Sequence, residues 1–167
     1  MYFAPGATHA PHHVPREWID KFKGQFDQGW DQYREETYRR QLQLGVIPPD
    51  TKLTPRPKEI PAYSTLTSDQ KKMAARLMET FAAYTAQTDY EIGRILDALE
   101  ETGQLNNTLT LCIIGDNGAS MEGSLQGAFN ELATIGGIPE DPAWIVQHLD
   151  EIGGPKAYNH VPVGWAW

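Results

Sequence analysis

Residues 109–114 (Leu-Thr-Leu-Cys-Ile-Ile) form a short run, mostly apolar, that ends in Gly115-Asp116-Asn117-Gly118. No other feature constrains the fold as strongly. A strand apolar on both faces suits the middle of a mostly parallel sheet, covered by helices on each side. In open α/β sheets the ligand site lies at the C-terminal edge of the strands. An acid and an amide placed there offer two oxygen donors, which suit a hard cation such as Ca²⁺ or Mg²⁺. Asn-Gly after an apolar run is also a hairpin signal. A hairpin needs an alternating partner strand, however, and Ala119-Ser120-Met121-Glu122-Gly123-Ser124 is small and polar.

The preceding stretch supports the α/β reading. Residues 68–102 predict one long helix. Thr67 with Gln70 fits a capping box, Asp69 suits the first turn, and Gly103 supplies the stop. Met73, Leu77, Phe81, Tyr84, Ile92, Ile95, Leu96 and Leu99 recur at three- and four-residue spacing, so one face should be buried. Asp89 and Arg94 read as structural charges that pair. Asn106-Asn107 then turn the chain into the predicted strand 108–114. Helix, turn and buried strand make the second half of a βαβ unit.

Upstream, residues 1–15 predict a short strand (Tyr2-Phe3-Ala4) and a loop rich in proline, glycine and histidine. Helices are expected over 15–22 and 29–44, the second closed by Gly45. Five prolines between 46 and 66 exclude helix and central strand, leaving a surface connector or a substrate-contacting loop. Residues 119–167 read as irregular, with one helix over 142–152.

Three histidines in five residues, Thr8-His9-Ala10-Pro11-His12-His13, suggest an anion or metal site or a solvated loop. His9 follows a short apolar strand, as Asp116 does, so the two could converge at one sheet edge. Cys112, the only cysteine, sits in the apolar run without a neighbouring histidine and reads as a small buried hydrophobe. One cysteine excludes an internal disulfide and leaves the compartment open. Tyr158-Asn159-His160 reads either as pocket lining or as an ordered surface loop.

The net charge of −8 argues against nucleic acid and against an anionic membrane surface. No apolar stretch approaches the roughly 20 residues of a membrane span. Apolar residues at both ends, Tyr2-Phe3-Ala4 and Val163-Gly164-Trp165-Ala166-Trp167, suggest a segment incomplete at both ends.

The segments THAPHHVP, GQFDQGW, YEIGRILDALEETGQLNNT, LTLCIIGDNGAS and YNHVPVGWAW together resemble the sulfatase family, its bacterial arylsulfatase branch, in the alkaline-phosphatase-like superfamily. The resemblance runs over essentially the whole chain. It implies a partial sulfatase catalytic domain over 1–167: an α/β sandwich, mostly parallel sheet flanked by helices, with long irregular loops. It implies that Asp116 and Asn117 are ligands to a divalent cation, Ca²⁺ or else Mg²⁺. His9, favoured over His12 by its place in His-x-Pro, is implied to contact the sulfate and assist the leaving group. The family's nucleophile is a formylglycine made from Cys or Ser in a Cys/Ser-x-Pro/Ala-x-Arg motif. After Cys112 stand Ile114 and Asp116 where that motif needs Pro/Ala and Arg, so the formylglycine is expected outside this chain. An N-terminal acidic pair and a later lysine are also absent.

The expected activity is sulfate-ester hydrolysis by the parent protein, on a small molecule or a glycan, with this segment inactive alone. Two other readings are a phosphodiesterase or phosphonate hydrolase of the same superfamily, and a non-catalytic remnant that binds a cation or a partner. Unpaired strands would favour self-association.

Overall fold

The computed structural model describes residues 1–115, 120 and 122–167. Five α-helices occur among them: α1 (Arg16–Asp20), α2 (Gly29–Gln43), α3 (Ser68–Glu101), α4 (Glu131–Ile135) and α5 (Pro142–Gln147). Short 3₁₀ turns lie at Tyr63–Thr65, Leu105–Asn107, Leu149–Glu151 and Val163–Trp165. The helices expected over 15–22, 29–44, 68–102 and 142–152 correspond to α1, α2, α3 and α5. The short α4 had no clear periodic signal.

The mostly parallel sheet sandwich does not form. Among the described residues there is no strand, only two isolated bridges, Ala128 with His160 (antiparallel) and Asn130 with Tyr158 (parallel). A strand exists only through hydrogen bonds to a neighbouring strand, and among the described residues none pairs with 108–114. Leu109 (85 %), Ile113 (90 %) and Ile114 (90 %) are exposed rather than buried. Cys112 is exposed with them, which overturns its reading as a buried hydrophobe. Tyr2 and Phe3, expected in a strand, are exposed as well.

What organises the chain is α3. Its capping box forms as expected: Gln70 N donates to Thr67 Oγ1 at 3.2 Å, and Thr67 N donates to Gln70 Oε1 at 2.9 Å. Its first four turns bury Met73, Ala74, Leu77, Thr80 and Ala83. Three apolar clusters gather there. One joins Met73 and Leu77 to Phe129, Ile145, Ile152 and Val161. A second sets Ala83 against Val14 and Ile19. The third sets Ala74 against Trp30 and Tyr63, with Trp165 beside them.

Polar groups on the same half of α3 hold the flanking loops. Arg76 Nη1 and Glu79 Oε2 are 3.4 Å apart and both side chains are buried. Arg76 Nε also donates to the Leu149 carbonyl at 3.2 Å, and Gly24 N donates to Glu79 Oε1 at 2.7 Å. The pair therefore ties the turns after α1 and α5 to one helix. Arg94 pairs with Glu91, not with Asp89 as expected.

The proline-rich connector folds back on α2. Trp30 Nε1 donates to the Pro61 carbonyl, Tyr38 Oη to the Thr51 carbonyl, and Arg56 pairs with Asp31. Gly29 opens α2 with φ +80°, and a Cβ there would overlap the Tyr63 ring. Only glycine accepts both that backbone and that approach.

Candidate functional site

The His9 loop is pinned on both sides by backbone contacts. His9 N donates to the Gly6 carbonyl, and Val14 N donates to the Gly153 carbonyl at 3.1 Å. Between these anchors the three histidines separate into three environments. His9 is exposed, and its Nδ1 lies 2.7 Å from the Ala10 carbonyl. A carbonyl only accepts, so Nδ1 carries the hydrogen and Nε2 remains available. His13 is also exposed, but its Nε2 donates to the Ala157 carbonyl at 2.7 Å and ties the loop to the C-terminal region.

His12 is fully buried. It packs edge-on to Phe81, with ring centroids 5.1 Å apart, and lies near Tyr84. The His160 ring is 5.1 Å away on another side, tilted by 45°. Burial pushes the His12 imidazole down to about 3, and the neighbouring rings of His160, His9 and His13 push the same way. Neither ring nitrogen meets a well-placed hydrogen-bond partner among the described residues. His12 is therefore neutral at neutral pH, closed off from solvent, and unsuited to proton exchange with a substrate.

His160 and Asn159 belong to the interior, not to a surface loop. Asn159 is fully buried and accepts from Gly153 N through Oδ1 at 3.2 Å. His160 is fixed by reciprocal backbone bonds with Ala128, both 3.0 Å. Its Nε2 is 2.9 Å from Ser120 Oγ and its Nδ1 is 3.0 Å from the Val161 carbonyl. Gly123 lets the backbone approach closely, because a Cβ there would meet His160 Nδ1 at 2.7 Å. The spacing Tyr-Asn-His-Val-Pro carried only a faint signal of this: polar residues directly before a Val-Pro-Val run.

Asp116 and Asn117 lie outside the described residues. Their fit to a cation rests on donor chemistry: a carboxylate and an amide oxygen are the hard donors that Ca²⁺ and Mg²⁺ take. Among the described residues, no three or more His, Cys, Asp or Glu side chains gather so as to hold a metal ion. A cleft of about 400 Å³ lies elsewhere, between α2, the connector and Trp165 and Trp167, and none of the histidines lines it. No helix of the described residues is long and apolar enough to cross a membrane.

The family model for sulfatases matches residues 1–148, a range that takes in His9, Asp116 and Asn117. An arylsulfatase of Klebsiella aerogenes is 39 % identical over 114 residues, covering 68 % of this chain and 24 % of that protein. An uncharacterized sulfatase of Schizosaccharomyces pombe is 36 % identical over 131 residues, covering 77 % of this chain and 23 % of its own length. The chain thus spans about a quarter of the length of these relatives. With nearly nine-tenths of its residues inside the family match, the chain belongs to the sulfatase family.

Proposed function

We propose that residues 1–167 are part of a sulfatase catalytic domain whose parent protein hydrolyses sulfate esters, of small molecules or glycans, to alcohol and sulfate. The family match over residues 1–148 carries this reading. His9 is the residue assigned to the leaving group. Its Nδ1–H on the Ala10 carbonyl orients the ring, and in the protonated imidazolium the second hydrogen, on Nε2 of this exposed side chain, passes to the bridging oxygen and leaves the ring neutral. That proton neutralises the alkoxide that forms as the ester bond breaks.

Asp116 and Asn117 are the residues assigned to a divalent cation, Ca²⁺ or else Mg²⁺, with its remaining ligands outside this chain. When bound, the cation offsets the negative charge on the nonbridging sulfate oxygens. The formylglycine nucleophile is likewise assigned to a part of the parent protein outside residues 1–167. Without it, and with two cation ligands only, this chain alone does not turn over a sulfate ester. Its exposed Leu109, Leu111, Ile113 and Ile114 favour self-association between copies of the isolated segment.

The test is turnover of an aryl sulfate by the parent protein. His9→Ala should lower kcat by about 10²–10⁴-fold, the usual contribution of a positioned acid. Chelation followed by Ca²⁺ or Mg²⁺ addition should abolish and restore the rate. Unchanged turnover in His9→Ala, or hydrolysis by the purified 167-residue segment, would sink the assignment.

A further inference from the structure

We infer that the cleft between α2, the proline-rich connector and the C-terminal tryptophans is a binding site for an anionic saccharide. This rests on neither the hydrolase reading nor its residues, since none of the histidines lines the cleft. Its volume, about 400 Å³, falls within the roughly 300–1,000 Å³ of small-molecule sites. The lining is rich in aromatic rings: Trp30, Tyr33, Tyr38, Trp165 and Trp167. It carries two cations, Arg34 and Lys52, and no carboxylate. In a chain of net charge −8, that exclusion of acids marks the cleft for an anion.

The walls are built before a ligand arrives. Trp30 Nε1 donates to the Pro61 carbonyl and Trp165 Nε1 to the Ala74 carbonyl, both at 3.1 Å. The two rings stand edge to face, with centroids 5.8 Å apart. Tyr38 Oη donates to the Thr51 carbonyl at 2.6 Å and holds the connector against α2. Arg34 donates to the Thr54 carbonyl at 3.2 Å and to Thr54 Oγ1 at 2.8 Å. Its guanidinium carbon lies 4.1 Å from the centroid of the Trp167 ring. Rings held this way lose little freedom when a ligand docks. Trp167 differs from the other two tryptophans, because its Nε1 is buried and has no acceptor among the described residues. Buried donors are paired as a rule, so this wall lacks an acceptor of the kind an oxygen-rich ligand brings.

The lining also selects the ligand class. Indole and phenol faces suit the C–H face of a sugar ring. Thr37 and Gln41 add a hydroxyl and an amide, which match sugar hydroxyls. Lys52, exposed on the connector, supplies the charge for an acidic substituent. Without a histidine, cysteine or carboxylate in its lining, the cleft is a place for binding rather than hydrolysis.

The test uses methyl glucuronide, an anionic sugar with no sulfate ester for the parent protein to hydrolyse. Calorimetry on the parent protein should give saturable binding. Methyl glucoside, which lacks the charge, and acetate, which lacks the ring, should bind at least about tenfold more weakly. Lys52→Ala and Trp167→Ala should each lower the glucuronide affinity about tenfold, whereas His9→Ala should leave it unchanged. In the ¹⁵N-labelled 167-residue chain, the Trp167 indole N–H resonance should move on titration. Lys52 is exposed, so Lys52→Ala keeps the fold and decides alone if Trp167→Ala does not fold. No saturable binding to the parent protein overturns the inference, even where the segment alone binds. An affinity untouched by Lys52→Ala overturns it as well. Equal affinity for acetate would reduce the cleft to an anion site, and equal affinity for benzoate would make it a site for aryl anions. Either result sinks the saccharide assignment and leaves the hydrolase reading standing.

Discussion

Residues 73–83 of α3 and residues 90–99 carry similar apolar spacing, yet they meet different surroundings. The first stretch is enclosed by α1, α5 and the C-terminal turns, and Leu77 and Ala83 are fully buried. In the second, Ile92, Ile95, Leu96 and Leu99 are only half-buried and Tyr90 is 55 % exposed. Across an open cleft, Met1 and Phe3 flank Ile95 and Leu99. The ion pairs differ in the same sense: Arg76–Glu79 is buried, whereas Arg94–Glu91 faces solvent. Periodicity marks which face of a helix is apolar. How much of that face leaves water depends on the elements that arrive from elsewhere.

The contrast can be broken most forcefully at the ion pairs. Glu79→Ala strands Arg76 in the interior and releases Gly24, and should cost about 3–5 kcal/mol in a denaturant titration. Glu91→Ala, at the exposed pair, should cost no more than about 0.5 kcal/mol. Equal losses would mean that the two halves are equally enclosed.

Next come the leucines. Leu77→Ala opens a cavity in the main cluster and should cost about 3 kcal/mol, against about 1 kcal/mol for Leu99→Ala on the half-buried face. A similar cost at both positions would point to a partner covering the second half, and sedimentation would then reveal self-association.

A smaller and graded effect comes from acid. His12 packs on Phe81 and Tyr84, where the enclosed half of α3 ends. Its folded value of about 3 lies below the ordinary 6.5, so between those values the unfolded chain binds a proton that the folded chain refuses. The stability this neutral ring confers is complete above pH 6.5 and is lost as pH falls toward 3. At pH 4.5 the loss should be about 2–3 kcal/mol. His12→Phe should remove that component of the acid transition. A slope over pH 6.5–4.5 identical to that of the unsubstituted chain would show that His12 titrates normally.

The sheet is where sequence reasoning went wrong, and the reason is physical. The run 109–114 has strand-like composition, and the backbone is extended at Thr108, but a ladder requires a second strand. Apolar residues that find no neighbour stay exposed however strongly they favour burial. The same holds at Cys112, whose type predicted an interior it does not reach. At His12 and His160 the sequence left a site and a solvated or surface loop both open, and the fold encloses both residues.

What the sequence by itself determined is local. The start of α3 at Thr67 and Gln70, its stop before Gly103 at φ +68°, and the proline-rich connector rest on hydrogen bonds and dihedral limits among residues a few positions apart. Family membership was also legible, because several short segments occur together in the right order. Only the tertiary structure decided which histidine faces solvent and which is buried, that Arg76 meets the Leu149 carbonyl and Glu79 meets Gly24, and that Ser120 meets His160. Such contacts join residues tens to more than a hundred positions apart, and whether they form depends on the packing of the elements between them rather than on any local preference.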